Sequence, residues 1–452
     1  DRESTYFHHA AQVAAWLKAN NFRYDCDRKR WYQLGSNGVW REDRHNSADA
    51  SALTLAGGFD PQDKGSLASY CLRFAASELD IATLADEWDR HPGCIGTPSR
   101  CIDLDWCGAA GAHEVEASKI WGADRGSLSY DRAADLLITK STGVGVGGLM
   151  DVWDKFILEA CGGDTELRDF LQRWAGYALS GHTSEHCVLF VYGPAGTGKS
   201  RFVEALQHVW GDYAVTMPMD ALMAGRGDRH PAELAMLKGV RLAVAVETEE
   251  GKRWDAAKIK TLTGGDTIAA RFMRENWFRF QPTHKLLVVG NHAPQLSVVD
   301  DAMKRRLLVV PFTNKPAVPD PDLPRKLQQA GGEILLWAIE GYGKWKQRGL
   351  APPRSVLDAT ARYFEDEDSV GEWLRERTEA VPGCFASAAE LYRSWSAWCM
   401  ENGQQPKGVK RLLEDLLRRP GIERWRTKTA RGVMGVRIGG MDQLPIGVGD
   451  DD

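Results

Sequence analysis

The chain has 452 residues, 43% hydrophobic and 26% charged, with a formal net charge of −5. That is enough apolar material for a core and, at ~150 residues per domain, for about three domains. The overall acidity excludes a uniformly basic nucleic-acid coat. No apolar run approaches the ~20 residues needed to span a bilayer, and the N-terminus lacks a signal-peptide pattern, so no membrane partner is expected and the cytoplasm (of a host cell, for a viral chain) is the expected location. The nine cysteines are scattered, and Cys94, Cys101 and Cys107 lack the C-x₂₋₄-C spacing of a zinc site; buried or idle thiols are expected. The first residue is Asp1 rather than Met, which suggests a fragment or processed form.

In chain order, residues 1–150 form an irregular, α-rich region. It has helix-like stretches at "AAQVAAWLKANN" and "SLASYCLRFAASEL" and a strand–turn–strand pattern around Ser36-Asn37-Gly38. Residues 151–180 read as a helical lead-in broken at Gly162-Gly163. Next, "VLFVY" (Val188 to Tyr192) reads as a short buried strand. It runs into Gly193-Pro194-Ala195-Gly196-Thr197-Gly198-Lys199-Ser200, which fits G-x-x-x-x-G-K-[ST]. Glycines let successive N–H groups converge on phosphate oxygens, and the following helix presents its positive end to the same anion. Lys199 reaches the β/γ-phosphates and Ser200 offers a hydroxyl to Mg²⁺. Phe202, Val203, Leu206 and Val209 fall on one helical face. ATP and Mg²⁺ are the expected ligands.

Downstream, "VRLAVAVETEEG" is an apolar run ending in Glu247, Thr248, Glu249 and Glu250, the pattern of a strand that delivers carboxylates for Mg²⁺ and for orienting water. Two strands are expected at Thr267 to Met273 and Trp277 to Gln281, around a tip at Arg274-Glu275-Asn276. "HKLLVVGN" ends in Asn291, whose amide is a candidate to sense the γ-phosphate or to position the water. "DDAMKRRLLVVPF" sets Arg305 and Arg306 before another strand, either as a solvated patch or as a finger into a neighbouring subunit's site. A Pro-rich connector, Asn314 to Pro324, closes an α/β core spanning 181–313, and a helical connector occupies 325–354. From Lys407 to Arg437, ten Lys/Arg face three acidic residues, an electrostatic footprint for phosphates. Within 355–440, helix, helix and β-ribbon read as a winged-helix-like DNA-binding module. Residues 441–452 form a tail.

The ordered run "GPAGTGKS", "ETEEG", "IKTLTGGDTIAAR", "FRFQPTHKLLVVGNHAP" and "DDAMKRRLLVVPF" resembles superfamily 3 helicases of the AAA+ class, the primase-helicase family of phages, plasmids and large DNA viruses. "WDRHPGCIGTPSRCIDL" and "DLLITKSTGVG" resemble the family's domain ahead of the helicase, and "LYRSWSAWCMENG" its C-terminal module. The resemblance implies a ring-forming, usually hexameric, ATP-driven DNA helicase moving 3′ to 5′ on single-stranded and forked DNA in replication. A primase domain or protein is the implied partner, although no acidic primase signature or zinc-binding set is visible here. It assigns the loop Gly193 to Ser200 to ATP, and Ser200 and Glu247 to the metal. Glu249 is a second candidate, as water-orienting base. Asn291 is the sensor and Arg305 and Arg306 the finger region. In such helicases a hairpin at 267–281 grips DNA, which makes Arg271, Arg274 and Arg279 candidate contacts, with Lys258 and Lys260 just upstream. Lys407, Lys410, Arg411, Arg426, Lys428 and Arg431 are the C-terminal candidates.

The residues also admit two rival functions. A small-molecule P-loop kinase is disfavoured by the block from Thr261 to Arg279. An ATP-controlled DNA-binding initiator or scaffold without processive unwinding uses the same residues as the helicase and stays open.

Overall fold

The computed structural model describes residues 2–55, 61–105, 130–148, 151–223, 231–246, 253–273, 277–291, 295–296, 300–366, 368–402, 406, 408–426 and 430–439. The chain divides into two compact units, 1–360 and 361–452.

In the first unit, α1 (Arg2–Ala19) buries Ala10, Val13, Ala14 and Leu17, an i, i+3, i+4, i+7 stripe. Next come β1 (Phe22–Asp25), β2 (Arg30–Leu34), β3 (Trp40–Glu42), α2 (Ser47–Leu55), α3 (Pro61–Ala75) and β4 (Ala82–Thr83). Leu67, Ala68, Cys71 and Ala75 of α3 close onto the α1 stripe. The order β3-β2-β1-β4 makes a four-stranded sheet, with β4 parallel to β1. The hairpin expected around Ser36-Asn37-Gly38 is present as β2 and β3. The α-rich expectation for this region is incomplete, because strands of two to five residues are too short to show a period in sequence. β5 (Cys94–Gly96) and β6 (Cys101–Asp103) form a second hairpin, and α4 (Tyr130–Asp135) follows. Burial pushes the Cys94 thiol up to about 11 and the Cys101 thiol up to about 12.

The central layer starts with α5 (Val152–Ala160) and α6 (Thr165–Leu179). Asp164 caps α6 by accepting from the Leu167 amide at 3.0 Å. β7 (Val188–Tyr192), α7 (Lys199–Trp210), β8 (Ala214–Thr216), α8 (Pro231–Ala235), β9 (Leu242–Val246), β10 (Arg253–Trp254) and α9 (Ala256–Thr263) follow. Then come β11 (Ile268–Ala270), β12 (Phe278–Phe280), β13 (Lys285–Gly290), β14 (Gln295–Leu296), α10 (Asp301–Lys304) and β15 (Leu307–Pro311). A five-stranded sheet runs β15-β7-β13-β9-β8 with every pairing parallel. Its inner strands β7, β13 and β9 are near-continuous apolar runs, buried as in a sheet covered on both faces. α11 (Leu323–Gln329) and α12 (Gly331–Arg348) complete the layer, and α13 (Arg354–Asp366) follows. α12 crosses α6 at Gly176 and Gly341. A methyl on Gly176 would lie 1.9 Å from the Tyr342 amide nitrogen, and one on Gly341 would lie 1.9 Å from the Gln172 carbonyl.

In the second unit, α14 (Ser369–Arg377), β16 (Thr378–Ser387), α15 (Ala388–Glu401), α16 (Val409–Leu416), β17 (Glu423–Arg426) and β18 (Arg431–Ile438) surround Trp373, Trp395, Trp398, Leu412 and Leu416. The sheet order is β16-β18-β17, antiparallel throughout. β16 was not expected. Pro382 and Gly383 at its centre read as a turn, and the strand accommodates them with a register shift between Ala380 and Phe385.

Candidate nucleotide site and nucleic-acid contacts

The loop between β7 and α7 is shaped by two glycines. Gly193 passes so close to β15 that a methyl there would lie 1.9 Å from the Phe312 carbonyl oxygen, and Gly198 adopts φ +92° as it caps α7. The Thr197 hydroxyl donates to the Pro194 carbonyl at 3.0 Å, which holds the turn. Lys199 is buried, and its ammonium donates to the carbonyls of Gly193 and Pro194, each at 2.6 Å. Burial lowers its pKa from the usual lysine value. Ser200 is exposed at the first turn of α7.

A cavity of about 1100 Å³ opens over this loop and is lined by Ala195 to Arg201 together with Asn291. The sheet explains that meeting. β13 lies between β7 and β9, with Gly290 opposite Tyr192 and Val289 opposite Val246, so all three strands end at one edge. Glu247 and Glu249 lie outside the described residues. The far wall comes from α5, including Lys155 and Phe156, and from the Pro-rich connector and α11, including Val318 and Lys326. The Asn314 amide ties the connector to the Glu159 carbonyl at 2.7 Å, and Lys326 pairs with Asp320 at 2.6 Å. Sequence reasoning missed this wall. Its only signal is position on either side of the core, since no motif marks it.

Arg305 and Arg306 sit at the opposite edge of the sheet. The Arg306 carbonyl accepts from the Val188 amide at 2.7 Å, level with the first residue of β7. The loop begins five residues further on, about 16 Å along a strand. Arg305 is exposed, whereas the Arg306 guanidinium turns back to the Ala302 carbonyl at 3.0 Å.

The candidate cations upstream of the β11–β12 hairpin are engaged within the chain. Lys258 donates to the Met223 carbonyl at 2.6 Å. Lys260 pairs at 2.5 Å with Asp300, which also caps α10 through the Met303 amide. On the hairpin, Arg271 lies 5.3 Å over the Trp277 ring and Arg279 is exposed; Arg274 lies outside the described residues. In the second unit, Lys410 on α16 is exposed, while Arg411 lies 3.9 Å from both Glu414 and Asp415. Arg426 and Arg431 are exposed and paired across the β17–β18 ladder. Lys407 and Lys428 lie outside the described residues. A cavity of about 700 Å³ runs along α15 from Ser387 to Ser396 and reaches Val409 and Arg431; it holds Tyr392 and Arg393, which sequence reasoning did not single out.

Residues 191–306 match a family model described as a family of unknown function, DUF5906. The chain is 26% identical over 264 residues to a protein of Acanthamoeba polyphaga mimivirus named "Putative helicase", across 53% of this chain and 27% of that protein. A protein of the same name in Frog virus 3 is 25% identical over 290 residues, 58% of this chain and 30% of that one. A third, in Sputnik virophage, is 25% identical over 194 residues, 38% of this chain and 25% of that one. The chain thus spans less than a third of the length of these relatives. Among solved structures, the apo structure of the NrS-1 C terminal region is similar in fold, with TM-score 0.50 and 10% identity over 94% of this chain and 98% of that one. The chain is therefore a mixed α/β protein with a five-stranded parallel sheet, similar to viral proteins named as helicases.

Proposed function

We propose that the chain is the motor region of an ATP-driven replicative DNA helicase of superfamily 3, built as an AAA+ P-loop core and working as a ring, hexameric and moving 3′ to 5′. The observation that carries this reading is the shared cavity of the Gly193–Ser200 loop and Asn291 at one edge of the parallel sheet. The residues there fit ATP and Mg²⁺. The loop offers backbone N–H groups and a helix N-terminus, the Lys199 ammonium already sits among oxygen acceptors, and the Ser200 hydroxyl is exposed. Ser200 and Glu247 would hold Mg²⁺, which neutralises phosphate charge when bound. Lys199 would exchange its two carbonyl acceptors for phosphate oxygens, Asn291 would orient the attacking water or sense the γ-phosphate, and Glu249 is the alternative base.

Arg305 and Arg306 lie at the wrong edge of the sheet to serve their own loop. That placement supports a role at a neighbouring subunit's site, and hence a ring. In the second unit, the order helix, strand, two helices, two strands supports a winged-helix module. The α16 start and the β17–β18 turn would then meet DNA, through Lys407, Lys410, Arg411, Arg426, Lys428 and Arg431. Residues 1–150 would be the family domain ahead of the motor, with a primase domain or protein as partner. In a strand-displacement assay on forked duplexes, ATP should release the displaced strand from forks with a 3′ loading tail, and Lys199→Ala should release none. ATP turnover without displacement from any fork would instead favour the ATP-controlled DNA-binding initiator.

A further inference from the structure

In the first unit, a second cleft is lined by none of the residues given to ATP. It measures about 850 Å³ and is bounded on one side by Asp27 and Arg28, after β1, and by Leu84 to Asp86, after β4. On the other side stand Lys238 and the hairpin residues Ala269, Phe272, Trp277, Phe278 and Arg279. The hairpin wall is aromatic. Phe272 stacks on Phe278 at 5.3 Å with 24° between planes, and Phe278 continues to Phe280 at 6.0 Å. Cations lie on those faces: the Lys238 ammonium 5.4 Å from the Phe278 centroid and the Arg271 guanidinium 5.3 Å from the Trp277 centroid. Trp277 is 60% exposed and the adjoining Met273 72%. A large ring left in water at a cleft mouth points to a flat partner.

The opposite wall is held by side-chain hydrogen bonds. Asp27 accepts from the Ala85 amide at 2.8 Å, Lys238 donates to the Ala85 carbonyl, and Arg28 donates to the Tyr32 hydroxyl at 3.2 Å. Burial brings the Lys238 ammonium down to about 8, a state that a nearby anion would reverse. Arg28, Lys238 and Arg279 line the cleft with Arg271 at its rim, beside Asp27 and Asp86, and Asp25 lies 3.8 Å from the Arg28 guanidinium.

We propose that this cleft holds an unstacked base of single-stranded nucleic acid, with Trp277 as its stacking face and Arg28 and Arg279 on the adjoining phosphates. Stacked aromatics flanked by cations suit a single strand, because every base has a π-face and the backbone supplies the anion. A duplex keeps its bases inside and cannot enter. The site rests on the nucleic-acid reading of the chain, but it adds the N-terminal region as one wall.

The test uses the whole chain and a fluorescein-labelled oligothymidine, with a blunt duplex of equal length beside it, followed by anisotropy at fixed salt. Trp277→Ala should weaken single-strand binding about tenfold or more, Trp277→Phe should retain most of it, and duplex binding should change less than about twofold. A 5-iodouracil strand, irradiated in complex, should crosslink to peptides from both walls, the hairpin and either 27–28 or 84–86. Unchanged binding by Trp277→Ala, an equal loss on strand and duplex, loss of subunit assembly in place of strand binding, or crosslinks confined to the hairpin would each overturn the proposal. A wild-type chain that displaces strands while Trp277→Ala binds normally overturns the cleft alone, whereas a wild type that binds no nucleic acid overturns both readings.

Discussion

The Lys199 ammonium donates to two carbonyls of the loop that carries it, so its loss removes a phosphate ligand without opening the core. Lys199→Ala should cut ATP turnover by about two orders of magnitude or more and move the thermal midpoint by only a few degrees. Phosphate release beside a melting curve checks both. His284 makes a separate prediction. It lies buried at the start of β13 beside the Lys285 ammonium, and burial, aided by that charge, pushes its pKa down to about 4. The unfolded chain therefore takes up this proton near pH 6.5 and the folded chain only near 4, so stability is complete above the ordinary histidine range and falls as pH drops through that window. At 1.36 kcal/mol per unit the loss is about 3 kcal/mol. Urea unfolding between pH 7 and 4 should show it, and His284→Leu should flatten that part of the slope.

Among elements, the crossing of α6 and α12 is a sharp constraint. Backbone atoms within 1.9 Å of a methyl on Gly176 or Gly341 cannot rotate away, so Gly341→Ala must push the helices apart. Destabilisation of about 3 kcal/mol or more is expected, against about 1 kcal/mol for an exposed helix position, and the shift in urea midpoint measures it. The C-terminal ribbon makes an electrostatic prediction. Lys410, Arg426 and Arg431 are exposed, and each phosphate they neutralise releases counterions. The triple alanine variant should flatten the log affinity against log salt slope by about 2 to 3 without changing basal ATP turnover. An unchanged slope would make the unit a docking module.

At the scale of the molecule, what could be read from sequence follows from how local each signal is. The Gly193–Ser200 loop carries its geometry in eight consecutive residues, and the β7, β9, β13 and β15 runs are apolar enough to read as buried strands without knowing their neighbours. The order of those strands, which puts Asn291 beside the loop and Arg306 at the far edge, is long-range and invisible in any window. The α5 and connector wall of the cavity was missed for the same reason, as was β16, whose Pro382 and Gly383 mimic a turn. The partners of Lys258 and Lys260, candidates by charge and place, are likewise long-range: the Met223 carbonyl and the Asp300 carboxylate. If a neighbour completes the site, Lys199→Ala keeps its arginines and Arg305→Ala/Arg306→Ala keeps its loop. Mixing the two at constant total protein and following phosphate release against mixing ratio tests this directly. A bell-shaped rise between two nearly inactive ends is the result expected of a site shared between subunits, and a flat line from variants shown to co-assemble would contradict it.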